Sequence, residues 1–258
     1  MSSLALPLRV FEYWLLQYRR VWRGTAITSV VNPVFYLGAL GVGLGTLVNK
    51  SSGNSLGVPY IDFVAPGMLA ATAMTVASGE ASWPVVGSIR WTRQYFAMLA
   101  TPLGTRDIVL GHQLWMTTRV AMTSLVYLAV IAGFGGVDSP WGILALPAAV
   151  LLGASFTTSF AAYAATRDND TAFVAVNRFI VVPMFLFSGT FFPVSRLPQA
   201  LEWLAYATPL WHGVELCRMF TLGSVDVWRA LGHTAYLLLF VVVGFVWAQR
   251  TYAESLLK

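Results

Sequence analysis

The chain has 258 residues, of which 57% are hydrophobic and 10% are charged, and its formal net charge is +5. Its mean hydropathy of +0.67 excludes a water-soluble domain of ordinary size. One cysteine excludes an internal disulfide, and three widely separated histidines give no expected metal site. Membrane topology accounts for the basic balance, so we expect no nucleic-acid partner.

Six apolar runs are long enough to cross a bilayer, for which about 20 residues are needed. Between them, ten Lys and Arg residues lie in one alternate set of segments and four in the other. Because cytoplasmic segments are enriched in Lys and Arg, both termini are expected in the cytosol. We therefore predict an all-α polytopic membrane protein, a single transmembrane domain over residues 1–258, with six transmembrane helices at residues 25–48, 63–86, 108–134, 141–165, 173–192 and 230–248.

Residues 8–23, before the first span, form a basic and aromatic segment. Apolar residues recur there at helical spacing: Val10, Phe11, Trp14, Leu15, Tyr18, Val21 and Trp22. This pattern predicts an amphipathic interface helix on the inner face of the membrane. Two interpretations stay open: a basic anchor that only fixes topology, or a docking surface at Tyr18, Arg19 and Arg20 for a cytosolic partner.

The first span is rich in glycine, but its sequence does not match a nucleotide-binding P-loop. The stretch Gly45–Ser51 (GTLVNKS) lacks the second glycine that precedes the lysine of a P-loop. It is also expected at the outer surface. The other lysine, Lys258, is at the C-terminus. The chain therefore has no visible nucleotide site of its own.

Residues 88–107 form a cytosolic loop that reads SIRWTRQYFAMLATPLGTRD. A short helix from about Thr92 to Ala100, stopped before Pro102, is expected in it. The loop could be a simple connector, but connectors between antiparallel helices are usually shorter than about eight residues. We favour a partner-docking loop whose contact residues are Arg93, Gln94, Tyr95 and Phe96.

Three ionisable residues lie inside the predicted spans: Glu80, Arg119 and Arg178. Each costs about 2.5 to 3.5 kcal/mol at a helix centre, so such residues usually face the bundle interior and pair. We expect Glu80 to pair with Arg178 or Arg119. The pair could be a static structural one, or it could act as a gate or a substrate contact.

The external segment, residues 193–229, contains two apolar stretches that are each too short to span. These stretches, Leu197–Ala207 and Leu210–Leu222, are separated by Pro209 and predict short interfacial or re-entrant helices. They could cap a substrate path or only shield the end of the bundle. The candidate residues there are Trp203, Trp211, His212 and Glu215.

Several stretches carry a family resemblance when taken in order. They are Phe63 to Gly67 (FVAPG), the Glu80 region with the basic loop after it, Leu99 to Asp107 (LATPLGTRD), Pro183 to Pro198 (PMFLFSGTFFPVSRLP), Pro209 to His212 (PLWH) and Arg218. With its six-span frame, the chain resembles the membrane subunits of ABC-2 type exporters. The resemblance is to the branch of nodulation-factor (lipooligosaccharide) exporter permeases and bacterial drug-efflux permeases.

The resemblance implies a multi-pass permease of the bacterial inner membrane, which forms half of an export pathway for a lipid-like, glycolipid or hydrophobic drug substrate. It implies a coupling helix near Arg93 to Ala100 and re-entrant helices before the last span. Two cytosolic ABC ATP-binding subunits, with ATP and Mg²⁺, and a second permease copy are the implied partners, along with membrane lipids. A homodimer and a pair of related permeases both stay open. No cofactor, metal or catalytic residue is expected in this chain.

Two other classes of protein stay open on the residues alone. A self-contained, ion-coupled secondary transporter would be active without a partner. An intramembrane enzyme would bring acid and base groups together on one substrate, but nothing in the sequence forces His212 and Glu215 to converge with another histidine.

Overall fold

The structure is a computed structural model that describes residues 5–50, 57–169 and 171–257. Within these ranges, helices are the only regular secondary structure. The all-α class expected from the sequence is therefore confirmed for the described part of the chain. Ser51, which ends the glycine-rich stretch compared with a P-loop, and Lys258 lie outside the described residues.

The helices follow one another with short connections. In chain order they are α1 (Ala5–Tyr18), α2 (Trp22–Val48), α3 (Tyr60–Trp91), α4 (Gln94–Leu99), α5 (Thr105–Gly133), α6 (Pro140–Ala165), α7 (Thr171–Phe187), α8 (Gln199–Tyr206), α9 (Pro209–Leu222) and α10 (Val227–Leu256). Five of them, α2, α3, α5, α6 and α10, are long and apolar enough to cross a membrane. α7 is apolar but shorter.

Helix α3 is the centre of the bundle. In its most apolar stretch 78% is buried inside the protein, compared with 18% for α2 and 11% for α10. Helices α5, α6 and α9 pack directly on α3. The outer helices α2 and α10 therefore present apolar surface, as expected where helices face lipid or another subunit.

Helix α6 packs closely on its neighbours through small residues. A Cβ atom added at Gly153 of α6 would lie 2.5 Å from Val120 of α5, and one added at Gly244 of α10 would lie 2.5 Å from Thr158 of α6. Both distances are shorter than a van der Waals contact. The lack of a side chain at these glycines therefore sets how closely the helix axes approach.

The N-terminal helix differs from the predicted segment 8–23, since α1 starts earlier and ends at Tyr18. A tight turn follows, in which the Val21 N–H donates to the Tyr18 carbonyl at 2.9 Å. Arg19 and Arg20 consequently lie exposed in the turn.

Helix α1 lies against the first turns of α5. A Cβ atom at Gly111 would be 2.3 Å from the Pro7 carbonyl oxygen and 2.5 Å from the Val10 Cβ. The last turns of α10 join the same buried cluster through Tyr252 and Leu256. We call this part of the bundle, where α1 packs beside the last turns of α10, the terminal end; the opposite part is the far end.

The fifth predicted span, residues 173–192, does not continue as a helix to its end, because α7 stops at Phe187. The next residues turn inward: Ser188 and Thr190 are fully buried, and Gly189 has a left-handed φ of 82°. Irregular backbone at membrane depth is tolerated where protein surrounds it. Here it packs on α3, where a Cβ atom at Gly67 would lie 3.0 Å from Thr190.

We predict that Gly111→Ala loosens α1 from α5. The added methyl group meets backbone at 2.3 Å, and such overpacking costs about 1 to 3 kcal/mol, more than alanine gains in a helix. The measurement is the thermal unfolding midpoint, with trypsin cleavage at Arg19 and Arg20 as a local probe. Gly232→Ala is the matched control, since its Cβ meets nothing within 4 Å. An unchanged midpoint and cleavage rate for Gly111→Ala would contradict the close packing.

Candidate functional site

A buried cluster at the terminal end joins four helices, and we call Trp14, Tyr95, His112 and Tyr252 the aromatic–histidine cluster. The indole of Trp14 in α1 stacks on the His112 ring of α5, with centroids 4.1 Å apart and planes 6° apart. The Tyr95 hydroxyl of α4 lies 2.5 Å from His112 Nδ1. Tyr95 also packs on Tyr252 of α10, at 5.7 Å between ring centroids. The short helix α4 is therefore fixed to the membrane helices through one fully buried side chain.

A second set of contacts ties α1 directly to α4. The Tyr13 hydroxyl donates to Gln94 Oε1 at 2.7 Å, and the Gln94 amide donates to the Ser88 hydroxyl. Burial raises the pKa of the Tyr95 phenol, so this group keeps its proton and remains a donor. The two helices are thus linked to each other as well as to α5.

The structure separates the predicted docking residues into an inward and an outward set. Tyr95 is fully buried and Gln94 is half-buried. Exposed at the terminal end are Arg19, Arg20, Arg93 and Phe96. Arg93, just before α4, has a left-handed φ of 52°, which is uncommon for a residue with a side chain. Strain of this kind is often found at functional sites, so it marks the start of α4 as a candidate surface.

An ion pair links α3 and α5 close to this surface. Arg119 Nε donates to Glu80 Oε1 at 3.0 Å, with side-chain exposures of 6% and 23%. The ring of Tyr18, the last residue of α1, covers the guanidinium at 4.3 Å from its centroid. Glu80 thus pairs with Arg119, and Arg178 is exposed on α7. Because Arg119 is buried, removing either partner is expected to destabilise the bundle more than a surface pair would.

At the far end, the helices α8 and α9 occupy the two apolar stretches of residues 193–229. Pro209 begins α9, and the Thr208 hydroxyl accepts the Trp211 N–H at 3.4 Å, a typical N-cap arrangement. Arg218 of α9 donates to the Gly189 carbonyl at 2.7 Å and pairs with Glu215 at 2.7 Å. This arginine holds the inward turn after α7 against α9.

A histidine pair closes the far end between α9 and α10. His212 Nδ1 lies 2.7 Å from His233 Nδ1, and His212 Nε2 lies 3.1 Å from the Tyr206 carbonyl. A carbonyl only accepts, so His212 carries its hydrogen on Nε2 and accepts on Nδ1 from His233. Tyr236 stacks on His212 at 3.8 Å. With His212 neutral, both of its ring nitrogens are therefore hydrogen-bonded.

The remaining far-end candidates do not form one catalytic arrangement. Trp203 is 66% exposed on α8, whereas Trp211 packs edge-on to His212 at 4.9 Å. A cavity of about 610 Å³ beside the histidine pair is lined by residues that include the charged Glu215, Asp226 and Arg229. Under α8 lies a second cavity of about 380 Å³ whose lining is almost entirely apolar.

The aromatic–histidine cluster was not predicted as a unit. Trp14 and Tyr95 were each part of an expected helix, but their contacts with His112 were not predicted. The available signal was the run of aromatic residues at helical spacing before the first span. That pattern gives the buried face of α1, but it does not give the residue on which the face packs.

We predict that acid destabilises the far end through His212. Desolvation first, then the charge of His233, lowers the pKa of His212 from 6.5 to about 4, while the Tyr206 carbonyl opposes the shift. The unfolded state therefore binds more protons in this window, and stability falls as the pH drops from about 6.5 towards about 4. Glu215, Asp226, Arg229 and Tyr236 also face the pair and stay unchanged in the test.

The measurement is the thermal midpoint as a function of pH for His212→Gln and His233→Gln. His212→Gln is expected to flatten the acid slope. His233→Gln is expected to keep most of the acid slope, since burial is a larger cause of the lowered pKa of His212 than the charge of His233. A slope that persists in full in His212→Gln would contradict this assignment.

Known proteins are similar in sequence to this chain over most of its length. Residues 10–222 match the sequence model of the family described as "ABC-2 type transporter". "Nodulation protein J" of Rhizobium leguminosarum bv. viciae is 32% identical over 244 residues, which cover 90% of this chain and 91% of that protein. "Nodulation protein J" of Rhizobium meliloti (strain 1021) is 31% identical over 248 residues, with 93% and 92% covered.

A more distant relative comes from another bacterial group. "Inner membrane transport permease YadH" of Escherichia coli (strain K12) is 23% identical over 215 residues, which cover 82% of this chain and 80% of that protein. The family match spans well over half of the sequence, and the several apolar helices agree with a membrane protein. The chain therefore belongs to the ABC-2 type transporter family.

Proposed function

We propose that this chain is the membrane-spanning permease subunit of an ATP-driven exporter. Two copies form the translocation pathway, and separate cytosolic ABC subunits bind and hydrolyse ATP with Mg²⁺. In this arrangement α7 is the fifth of six spans, both termini are cytosolic, and α8 and α9 form a re-entrant cap on the outer side. The inner membrane of a bacterium is the proposed location.

The single observation that carries the proposal is the joint position of α1 and α4 at the terminal end. A partner that presses on the exposed surface of α4, at Arg93 and Phe96, also moves α1 and α5, because Tyr95 connects them through His112. The chain has no P-loop of its own. Because the exposed surface of α4 is connected to the bundle in this way, a separate ATP-hydrolysing subunit that binds there would move the membrane helices.

The proposed mechanism is a shift between two arrangements of the bundle. Nucleotide-bound partners close together, push on α1 and α4, and favour the arrangement in which the pathway opens outward. The contact of Tyr18 with Arg119 extends this push to the Glu80 pair between α3 and α5. In this scheme the ion pair is the gating element, and it has a second arrangement in the outward-open state.

The cargo that fits this protein is lipid-like, glycolipid or hydrophobic. Two observations support this class of cargo. One is the apolar cavity under α8, and the other is that several relatives of the chain are named as nodulation proteins. Phe179, Met184 and Phe187 on α7 and Phe240 on α10 line that cavity. Such adaptable apolar surfaces accept varied ligands.

The test is transport by the purified chain in proteoliposomes, with and without its ATPase subunit. Uphill transport is expected only with the ATPase and ATP. Phe96→Ala is expected to weaken ATPase binding by about 10-fold, because an exposed aromatic anchor is removed from a docking surface. Trp203→Ala, at the far end, is the matched control and leaves binding unchanged.

Two outcomes would contradict the proposal. Uphill transport by the chain alone, driven by an ion gradient, would make it a secondary transporter. ATPase binding that is lost with Trp203→Ala and kept with Phe96→Ala would reverse the proposed orientation.

A further inference from the structure

A cavity of about 360 Å³ opens between α3 and α7. Helix α3 is buried along most of its length, but Thr75, Gly79 and Trp83 are exposed. These residues are four apart, so they form one stripe along the helix. This stripe is the open side of the central helix. The wall of the cavity is completed by Ser78, Ser82, Phe160, Phe173 and Arg178.

Arg178 is the charged residue of this lining. Among the residues that the structure describes, it forms no ion pair, since Glu80 bonds to Arg119 at 3.0 Å. From Thr171, where α7 begins, to Arg178 the helix rises about 10 Å. A cation at that depth in a bilayer is unfavourable unless an anion or water compensates its charge.

A second copy of the chain brings no further acidic residue at this depth. It brings the same residues, and Glu80 is the one acidic residue inside the predicted spans. That carboxylate is bonded to Arg119 in each copy. Water or an anion other than a protein carboxylate is therefore left to compensate the charge of Arg178 at this depth.

The local backbone and the neighbouring hydroxyl groups both favour Arg178 as the binding group. Residues Asn177–Val181 form a single π-helical turn, a feature that is frequent at functional sites. The hydroxyls of Ser78 and Ser82 donate within α3, to the carbonyls of Met74 and Ser78, at 2.8 and 2.6 Å. Their hydrogens are thus committed, and the guanidinium is left as the charged donor.

We propose that this cavity binds the anionic head group of an amphiphile, with Arg178 as its counter-ion and the aromatic side chains of Trp83 and Phe173 beside its acyl chain. A phosphate ester or a carboxylate fits this chemistry, because the guanidinium bonds to either through two parallel N–H groups. The inference rests on the proposed function only in placing the cavity on the transport path. Binding itself needs no ATPase.

The test is equilibrium binding to the full chain in nanodiscs of phosphatidylcholine. The probes are radiolabelled oleoyl lysophosphatidic acid and oleoyl lysophosphatidylcholine, which share the chain and differ in net charge. The anionic probe is expected to bind about 10-fold more tightly. Arg178→Gln is expected to remove that preference. Arg178→Lys is expected to keep part of it, because lysine retains the charge but lacks the two parallel N–H groups of the guanidinium. Arg229→Gln at the far end, where the arginine is exposed, is the matched control and keeps the full preference.

Competition identifies the source of the anion. Phosphatidylglycerol added to the nanodiscs displaces the probe if bilayer lipids occupy the site, and inorganic phosphate displaces it if the head group alone is recognised. Either result supports an anion site at Arg178.

Equal binding of the two probes, or an unchanged preference in both Arg178 variants, would overturn the inference. So would a dimer that dissociates in Arg178→Gln while the wild-type chain binds neither probe, since Arg178 would then serve the contact between copies. ATP-driven transport is measured separately. A permease that transports but does not bind the anionic probe refutes this inference and leaves the proposed function intact.

Discussion

The packing of α1 on α5 is the constraint on which the rest of the terminal end depends. Only a glycine at position 111 lets the α1 backbone approach closely enough for Trp14 to stack on His112. That stack leaves His112 Nδ1 facing the Tyr95 hydroxyl, which fixes α4. The same approach places Tyr18 over Arg119. One close helix crossing therefore positions both the proposed docking surface and the Glu80–Arg119 ion pair.

The ion pair and Arg178 show two ways in which the bundle accommodates charge. Arg119 is buried, but Glu80 and the ring of Tyr18 compensate it. Arg178 is exposed on α7 beside the open stripe of the central helix. A buried pair favours a defined arrangement of α3 and α5, whereas an uncompensated cation favours an anionic ligand. The two arginines look alike in sequence, and only their surroundings separate them.

Hydrophobicity predicted the helical class and the long helices well, because a long apolar run has few alternatives to a membrane helix. It did not predict that α7 ends at Phe187, since residues 188–190 carry no charge and two phenylalanines continue the apolar run after them. The inward turn depends on Gly189 and on Arg218, which is distant in sequence. Glu80 was expected to pair, but the choice of Arg119 depends on helix rotation, which one sequence does not encode visibly. The His212–His233 contact was missed for the same reason.

In the proposed mechanism, force from a partner enters the bundle through the aromatic–histidine cluster. The most direct measurement is the ratio of transport to ATP hydrolysis in the reconstituted complex, for the wild type, Tyr95→Phe and the more disruptive His112→Leu. The account predicts that both variants still bind the ATPase and hydrolyse ATP, while the ratio falls by about 10-fold in His112→Leu and less in Tyr95→Phe. A wild-type ratio in His112→Leu, at normal complex stability, would contradict it.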